Sequence, residues 1–159
     1  MKIAIDPFDQ KALDAALKDL ATYKKWVAEK EKLLRTRLGK LGESVARIEF
    51  SGATYDGSND VTVRLDSTGS IAVIYAEGKS VAFIEFGSGA KLGGGHPMNA
   101  ELGTGPGTYP DGKGHWDDPS GWYYKHGQKS WGNPPAMAMV HARDTMVEQL
   151  TAIAREVFK

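Results

Sequence analysis

The chain has 159 residues, 20 basic and 20 acidic side chains, no cysteine and a 41% hydrophobic share, enough for one buried core. This balance excludes a counterion-displacing nucleic-acid clamp, and the missing cysteines exclude disulfide frameworks and thiolate metal sites. No apolar run approaches the roughly 20 residues of a membrane span, and residues 1–7 hold no signal-peptide core, so a protein made and folded in the cytoplasm is expected.

From residue 9 to residue 38 there is no Gly or Pro, and Leu13, Leu17, Leu20, Val27, Leu34 and Leu38 recur at spacings of three and four. That pattern predicts a long helix over 9–40, started by Asp6 or Asp9 and stopped by Gly39 and Gly42. Lys24 and Glu31 fall on the same stripe. Either the helix packs its two ends and exposes its centre, or Lys24 and Glu31 meet partners on another subunit.

After Gly42 the period changes to two. Residues 44–55, 60–66, 70–76 and 80–86 are β-branched or aromatic runs of strand length, separated by turn residues such as Asp56-Gly57-Ser58-Asn59 and Glu77-Gly78-Lys79. The expectation is an antiparallel meander of three or four strands over 44–86, in which residues 44–48 could instead be helical.

Residues 87–133 break both periods. Ten glycines lie between Gly87 and Gly114, and Trp116, Trp122, Tyr123, Tyr124 and Trp131 follow. A loop of this length and aromatic content is read as functional or ordered by a partner, with a short hairpin near Trp122. Its aromatics could stack on sugars, anchor a protein interface or form a satellite core.

Asn133-Pro134-Pro135 then reads as a cap with proline in the first turn of a helix over 134–158, whose apolar stripe is Met139, Ala142, Met146, Leu150, Ile153 and Val157. The order predicts a single α+β domain over 1–159, a small antiparallel sheet packed by a long N-terminal and a C-terminal helix, with a long Gly/aromatic loop before the last helix.

Signals for catalysis are weak. Glu77-Gly78-Lys79-Ser80 lacks the earlier glycine of a phosphate loop, and no helix pattern follows the glycines at 87–95 to present a dinucleotide site. His96, His115, Asp117, Asp118 and His126 match no metal-ligand spacing, His141 reads as a boundary residue, and neither Ser88 nor Ser130 stands in a nucleophile elbow. No catalytic residue, cofactor or metal is expected.

Phe83-Ile84-Glu85-Phe86-Gly87-Ser88-Gly89, the later Gly107-Thr108-Tyr109-Pro110 and Gly121-Trp122-Tyr123-Tyr124, and Pro134-Pro135-Ala136 before a terminal helix carry a resemblance over nearly the whole chain. It resembles the small neck proteins of long-tailed bacteriophages and prophages, called head-tail joining or tail-completion proteins. Their hallmark is a strand ending in an aliphatic residue, Glu, an aromatic, Gly, Thr or Ser, and Gly, which Ile84 to Gly89 match. Where many members place an aromatic between the proline turn and the helix, this chain has Pro134-Pro135-Ala136-Met137.

The resemblance implies a non-enzymatic virion protein at the neck, assembled in the host cytoplasm. It implies a ring of identical subunits, commonly six, bound to the head connector and to the tail tube or tail terminator, with DNA passing through unread. Its interface candidates are Lys24, Glu31, Glu85, Phe86, Trp116, Trp122, Tyr123, Tyr124 and Trp131, with special backbone at Gly87, Gly89, Pro134 and Pro135. The residues themselves add that Gly87 and Gly89 permit positive φ, and that Glu85 can accept backbone hydrogen bonds from the loop or an arginine across a subunit boundary. The alternative is a carbohydrate- or cell-wall-binding module using the loop tryptophans, and a loop-site hydrolase ranks below it.

Overall fold

A computed structural model describes residues 9–55, 57–89, 92–102, 122–123 and 129–159. The first element, α1 (Gln10–Ser51), has 42 residues and is about 63 Å long. Asp9 starts it by accepting the backbone N–H groups of Lys11 and Ala12, the ordinary way of satisfying the first free donors of a helix. Ion pairs one turn apart, Glu31 with Arg35 at 3.1 Å and Glu43 with Arg47 at 2.8 Å, support its exposed face.

The helix does not stop at Gly39 and Gly42. A Cβ on Gly39 would stand 2.7 Å from Leu65 Cδ1, and one on Gly42 would stand 2.6 Å from both Ile74 Cδ1 and Met146 Sδ. The two glycines let other elements settle close on the helix instead of ending it. Residues 44–51, expected to be strand, continue the helix and bury Ala46 and Phe50 in register with Gly42. Asn59 Nδ2 meets Phe50 O of its last turn at 2.6 Å and Ala53 O just past the helix end at 2.8 Å.

A hairpin follows, β1 (Thr62–Asp66) pairing antiparallel with β2 (Val73–Glu77) in the register Thr62 to Glu77 and Asp66 to Val73. Val63, Leu65, Ile74 and Ala76 share its inner face. On the outer face Arg64 lies across from Tyr75, 4.2 Å over the ring, and pairs with Glu77 at 2.9 Å. The fourth expected strand, 80–86, is a helical turn, α2 (Val81–Glu85). Asp60 holds the approach to that turn, accepting Lys79 N at 2.7 Å and Ser80 N at 3.0 Å. Those two bonds bend the chain back before it can extend a third strand beside β2.

A short helix, α3 (Asn99–Leu102), and a two-residue hairpin, β3 (Trp122–Tyr123) with β4 (Lys129–Ser130), follow. The last element is α4 (Ala138–Val157). It runs antiparallel to α1: Ala138 and Ala142 join Ala46 and Phe50 in the core, Met146 lies against Gly42, Arg37 pairs with Glu156 at 3.2 Å, and Phe158 stands edge-on to Trp26 with ring centres 5.9 Å apart. The fold is α+β, with the hairpin and α4 side by side on the C-terminal part of α1. The first 16 residues of α1 lie beyond the end of α4; Leu17, Leu20 and Tyr23 there are 59%, 46% and 47% exposed, whereas Ala16 beside them is buried. No helix among the described residues is long and apolar enough to cross a membrane.

Candidate functional site

The segment Glu85 to Gly89 crosses the segment Trp131 to Pro135 backbone against backbone. Ser88 N donates to Asn133 O at 2.9 Å and Asn133 N donates to Ser88 O at 3.1 Å, while Asn133 Nδ2 donates to Phe83 O at 2.9 Å and the Ser88 hydroxyl meets Asn133 Oδ1. Gly87 and Gly89 take φ of 76° and 82°, as their place at the exit from 80–86 led one to expect. Close approach matters as much as φ: a Cβ on Gly87 would stand 2.8 Å from Asn133 O, and one on Gly132 would collide with Ser88 O.

Immediately before this crossing, Glu85 is buried, its side chain 5% exposed. Both of its carboxyl oxygens accept Met139 N at 3.1 Å, and Oε1 also lies 3.3 Å from His96 Nε2. Met98 N donates to His96 Nδ1 at 3.1 Å, so the ring proton sits on Nε2 and is given to Glu85. Phe86 packs against the His96 ring at 4.4 Å between centres.

Glu85 therefore does the work expected of Asn133. Helix α4 starts at Ala138 rather than at the prolines, and Met137, its N-cap, has φ 54° and no side-chain cap of its own. Pro134 and Pro135 lie before the helix in non-helical backbone. The 80–86 backbone adds two ties, Ala136 N to Ile84 O at 2.8 Å and Met137 N to Glu85 O at 3.2 Å. A carboxyl group beside the free N–H groups and positive end of a helix satisfies donors and dipole together. Of the two roles open to Glu85 from its neighbours in sequence, the structure displays the acceptance of backbone donors, made to α4.

Beside α4 lie two adjoining apolar pockets, the first between β2 and α4 over α1 and the second between α4 and the segment from α2 to α3. One pocket of about 460 Å³ is lined by Leu38, Ile71, Ile74 and Met146, a second of about 340 Å³ by Val81, Phe86, Met98 and Leu102, and Met139 and Arg143 line both. Arg35 edges the first pocket, and donates to Ser70 O and Glu31.

The other expected site residues are scattered. Lys24 is exposed on the part of α1 beyond α4. Glu31 is held by Arg35 of its own chain. Trp131 is 42% exposed with Lys129 Nζ 5.4 Å above its ring. Trp122 and Tyr123 form β3 opposite Ser130 and Lys129, the short hairpin expected there. Trp116 and Tyr124 lie outside the described residues, as do His115, Asp117, Asp118 and His126 of the histidine and aspartate set. Among the described residues no three His, Asp or Glu side chains gather as a metal site. His141 lies 3.5 Å from Glu49 at the helix boundary.

The structure adds His96, Asn133 and Met139 to the residues singled out in the sequence. Asn133 and Met139 were legible only as a cap and a core position, and His96 only as one of several loop histidines. No family model, no curated protein and no solved structure matches the chain.

Proposed function

We propose that the protein is a non-catalytic structural subunit of a tailed phage or prophage virion, forming a ring at the neck between head connector and tail. The observation that carries this reading is the separation of two unfinished surfaces. The first 16 residues of α1 bring Leu17, Leu20 and Tyr23 past the end of α4, and the apolar groove beside β2 lies toward the other end of the same helix. Different surfaces on one subunit make head-to-tail contacts, and such contacts close into rings when the rotation allows it. The match of Ile84 to Gly89 to the residue pattern of the neck-protein hallmark, here following helix α2 rather than a strand, supplies the place of the ring, between the connector and the tail tube or terminator, with DNA passing through.

The Glu85 and Gly87 to Gly89 motif has a role within this reading. It ties α2 to the start of α4 by backbone bonds, so one wall of the groove is rigid before a neighbour arrives. Sedimentation and negative-stain microscopy of the purified chain test the reading. Closed rings of one subunit size are expected, and a monomer at all concentrations that binds cell-wall sugars with a change in tryptophan emission would favour the carbohydrate-binding alternative.

A further inference from the structure

The segment 94–102 carries a single buried side chain. His96 is buried, Met98 and Asn99 are half-buried, and α3 buries none of its residues. His96 reaches Glu85 at 3.3 Å, long for an N–H···O bond, and its ring rests edge-on to Phe86. The segment also keeps its own shape: Met98 N donates to His96 Nδ1 at 3.1 Å, Asn99 N to His96 O at 3.2 Å and Leu102 N to Met98 O at 2.9 Å. These bonds stay inside 96–102, so the imidazole and the short helix form one unit.

Just before this unit the chain passes from a pinned glycine to two open ones. Gly93 is buried and donates to Gly89 O at 2.8 Å, and a Cβ on it would stand 2.6 Å from the Ser88 carbonyl carbon. Gly94 and Gly95 are exposed, and a Cβ on either would meet nothing within 4 Å. Two adjacent unpacked glycines between an anchored residue and a compact unit allow rotation without steric cost, the place where a hinge absorbs its change of φ and ψ. What the unit adjoins is apolar: Met98 and Leu102 line the second pocket together with Val81, Phe86, Met139 and Val140.

We propose that residues 94–102 are a strap, hinged at Gly94-Gly95 and latched by His96 on Glu85, whose opening gates the second pocket. Opening breaks the His96 bond and the Phe86 ring contact, while Glu85 keeps Met139 N, so the start of α4 holds as the strap leaves. Water takes the place that His96 vacates on the Glu85 oxygen, so no acceptor is orphaned by the motion. The device belongs to the single subunit and does not depend on the assembly it enters.

Because the natural chain has no cysteine, spin labels report the strap without background. Labels on Leu102→Cys and Val147→Cys, exposed positions on the strap and on α4, are expected to give one dominant distance when no other residue is changed. Adding His96→Ala is expected to raise the ratio of a second, longer distance to the first at least about tenfold, the worth of one hydrogen bond to a charged group. A reference pair, Ile71→Cys and Val147→Cys, spans the hairpin and α4 and is expected to keep its distance when His96→Ala is added. An unchanged strap distance, or a change in both pairs, overturns the proposal. A second measurement leaves the latch intact, and it decides alone if His96→Ala does not fold. Glu101 is exposed on α3, and no glutamate lies between it and Glu148, so a glutamate-specific protease reports the strap by cleavage after Glu101. Gly94→Ala adds a methyl group into open space at a φ that is not positive. By narrowing the hinge it is expected to slow that cleavage about two- to fivefold, whereas Gly69→Ala, between β1 and β2, is expected to leave it unchanged. Equal rates for Gly94→Ala and the natural chain overturn the proposal.

Discussion

Glu85 and Met139 are joined by two hydrogen bonds, the backbone N–H of Met139 lying 3.1 Å from each oxygen of the Glu85 carboxyl group. The first turn of α4 is thus capped by a side chain from α2, across 54 positions of sequence. Replacing Glu85 by alanine leaves a helix donor and the His96 N–H without their partner in a nearly buried site. The expected cost is about 2–3 kcal/mol, seen as a lower urea midpoint with an unchanged slope. Glu85→Gln, which keeps one acceptor, is expected to lose less.

The backbone crossing gives a contrast between two glycines with similar sign of φ. Gly132→Ala places a Cβ against Ser88 O, backbone that cannot move aside, whereas Gly57 has φ 70° and nothing within 4 Å of the added carbon. Gly57→Ala is expected to cost only the left-handed penalty of about 1 kcal/mol. Gly132→Ala is expected to exceed it severalfold, or to prevent folding, and paired thermal melts of the two variants measure the difference.

Acid should loosen the hairpin end of the molecule. Backbone hydrogen bonds from Ser80 and Lys79 hold the Asp60 carboxyl below its ordinary value of 3.8, and the Thr68 and Arg64 contacts do the same for Asp66 and Glu77. A group whose acidity is strengthened by folding stabilises fully above its unfolded value, and that contribution disappears as pH falls through the lowered folded value. Stability is therefore expected to decline below about pH 4, and Asp60→Asn to flatten that decline. Urea midpoints from pH 6 to pH 2.5 provide the comparison.

In the proposed ring, the exposed stripe at the start of α1 would separate assembly from folding. Leu17→Lys/Leu20→Lys changes side chains that are 59% and 46% exposed, so the subunit's stability is expected to stay within about 0.5 kcal/mol of the natural chain. The same variant is expected to sediment as a smaller species. Loss of stability and association together would mean that this stripe belongs to the subunit's own core.

Legibility in the sequence followed the range of the forces. Helix α4 was readable because Met139, Ala142, Met146, Leu150, Ile153 and Val157 recur at spacings of three and four, and Asp9 as a cap because its partners are two and three residues away. The end of α1 was misread because Gly39 and Gly42 look like helix stops, whereas here they admit Leu65, Ile74 and Met146, whose positions only tertiary structure defines. The spacing of Gly42, Ala46 and Phe50 at intervals of four was the available sign that the helix continues. Residues 80–86 alternate as a strand would, but Asp60 binds Lys79 and Ser80 and turns them. For Glu85 the motif marked a residue of interest, and its partners at 11 and 54 positions away could be found only by folding the chain.

The proposed role at the neck is to join two prefabricated parts of a particle. Electron microscopy of lysates from a prophage in which the chain is truncated within α1 tests it most directly. Filled heads and separate tails, rejoined on adding the purified natural chain, are the predicted result. Complete tailed particles in the absence of the chain would contradict it.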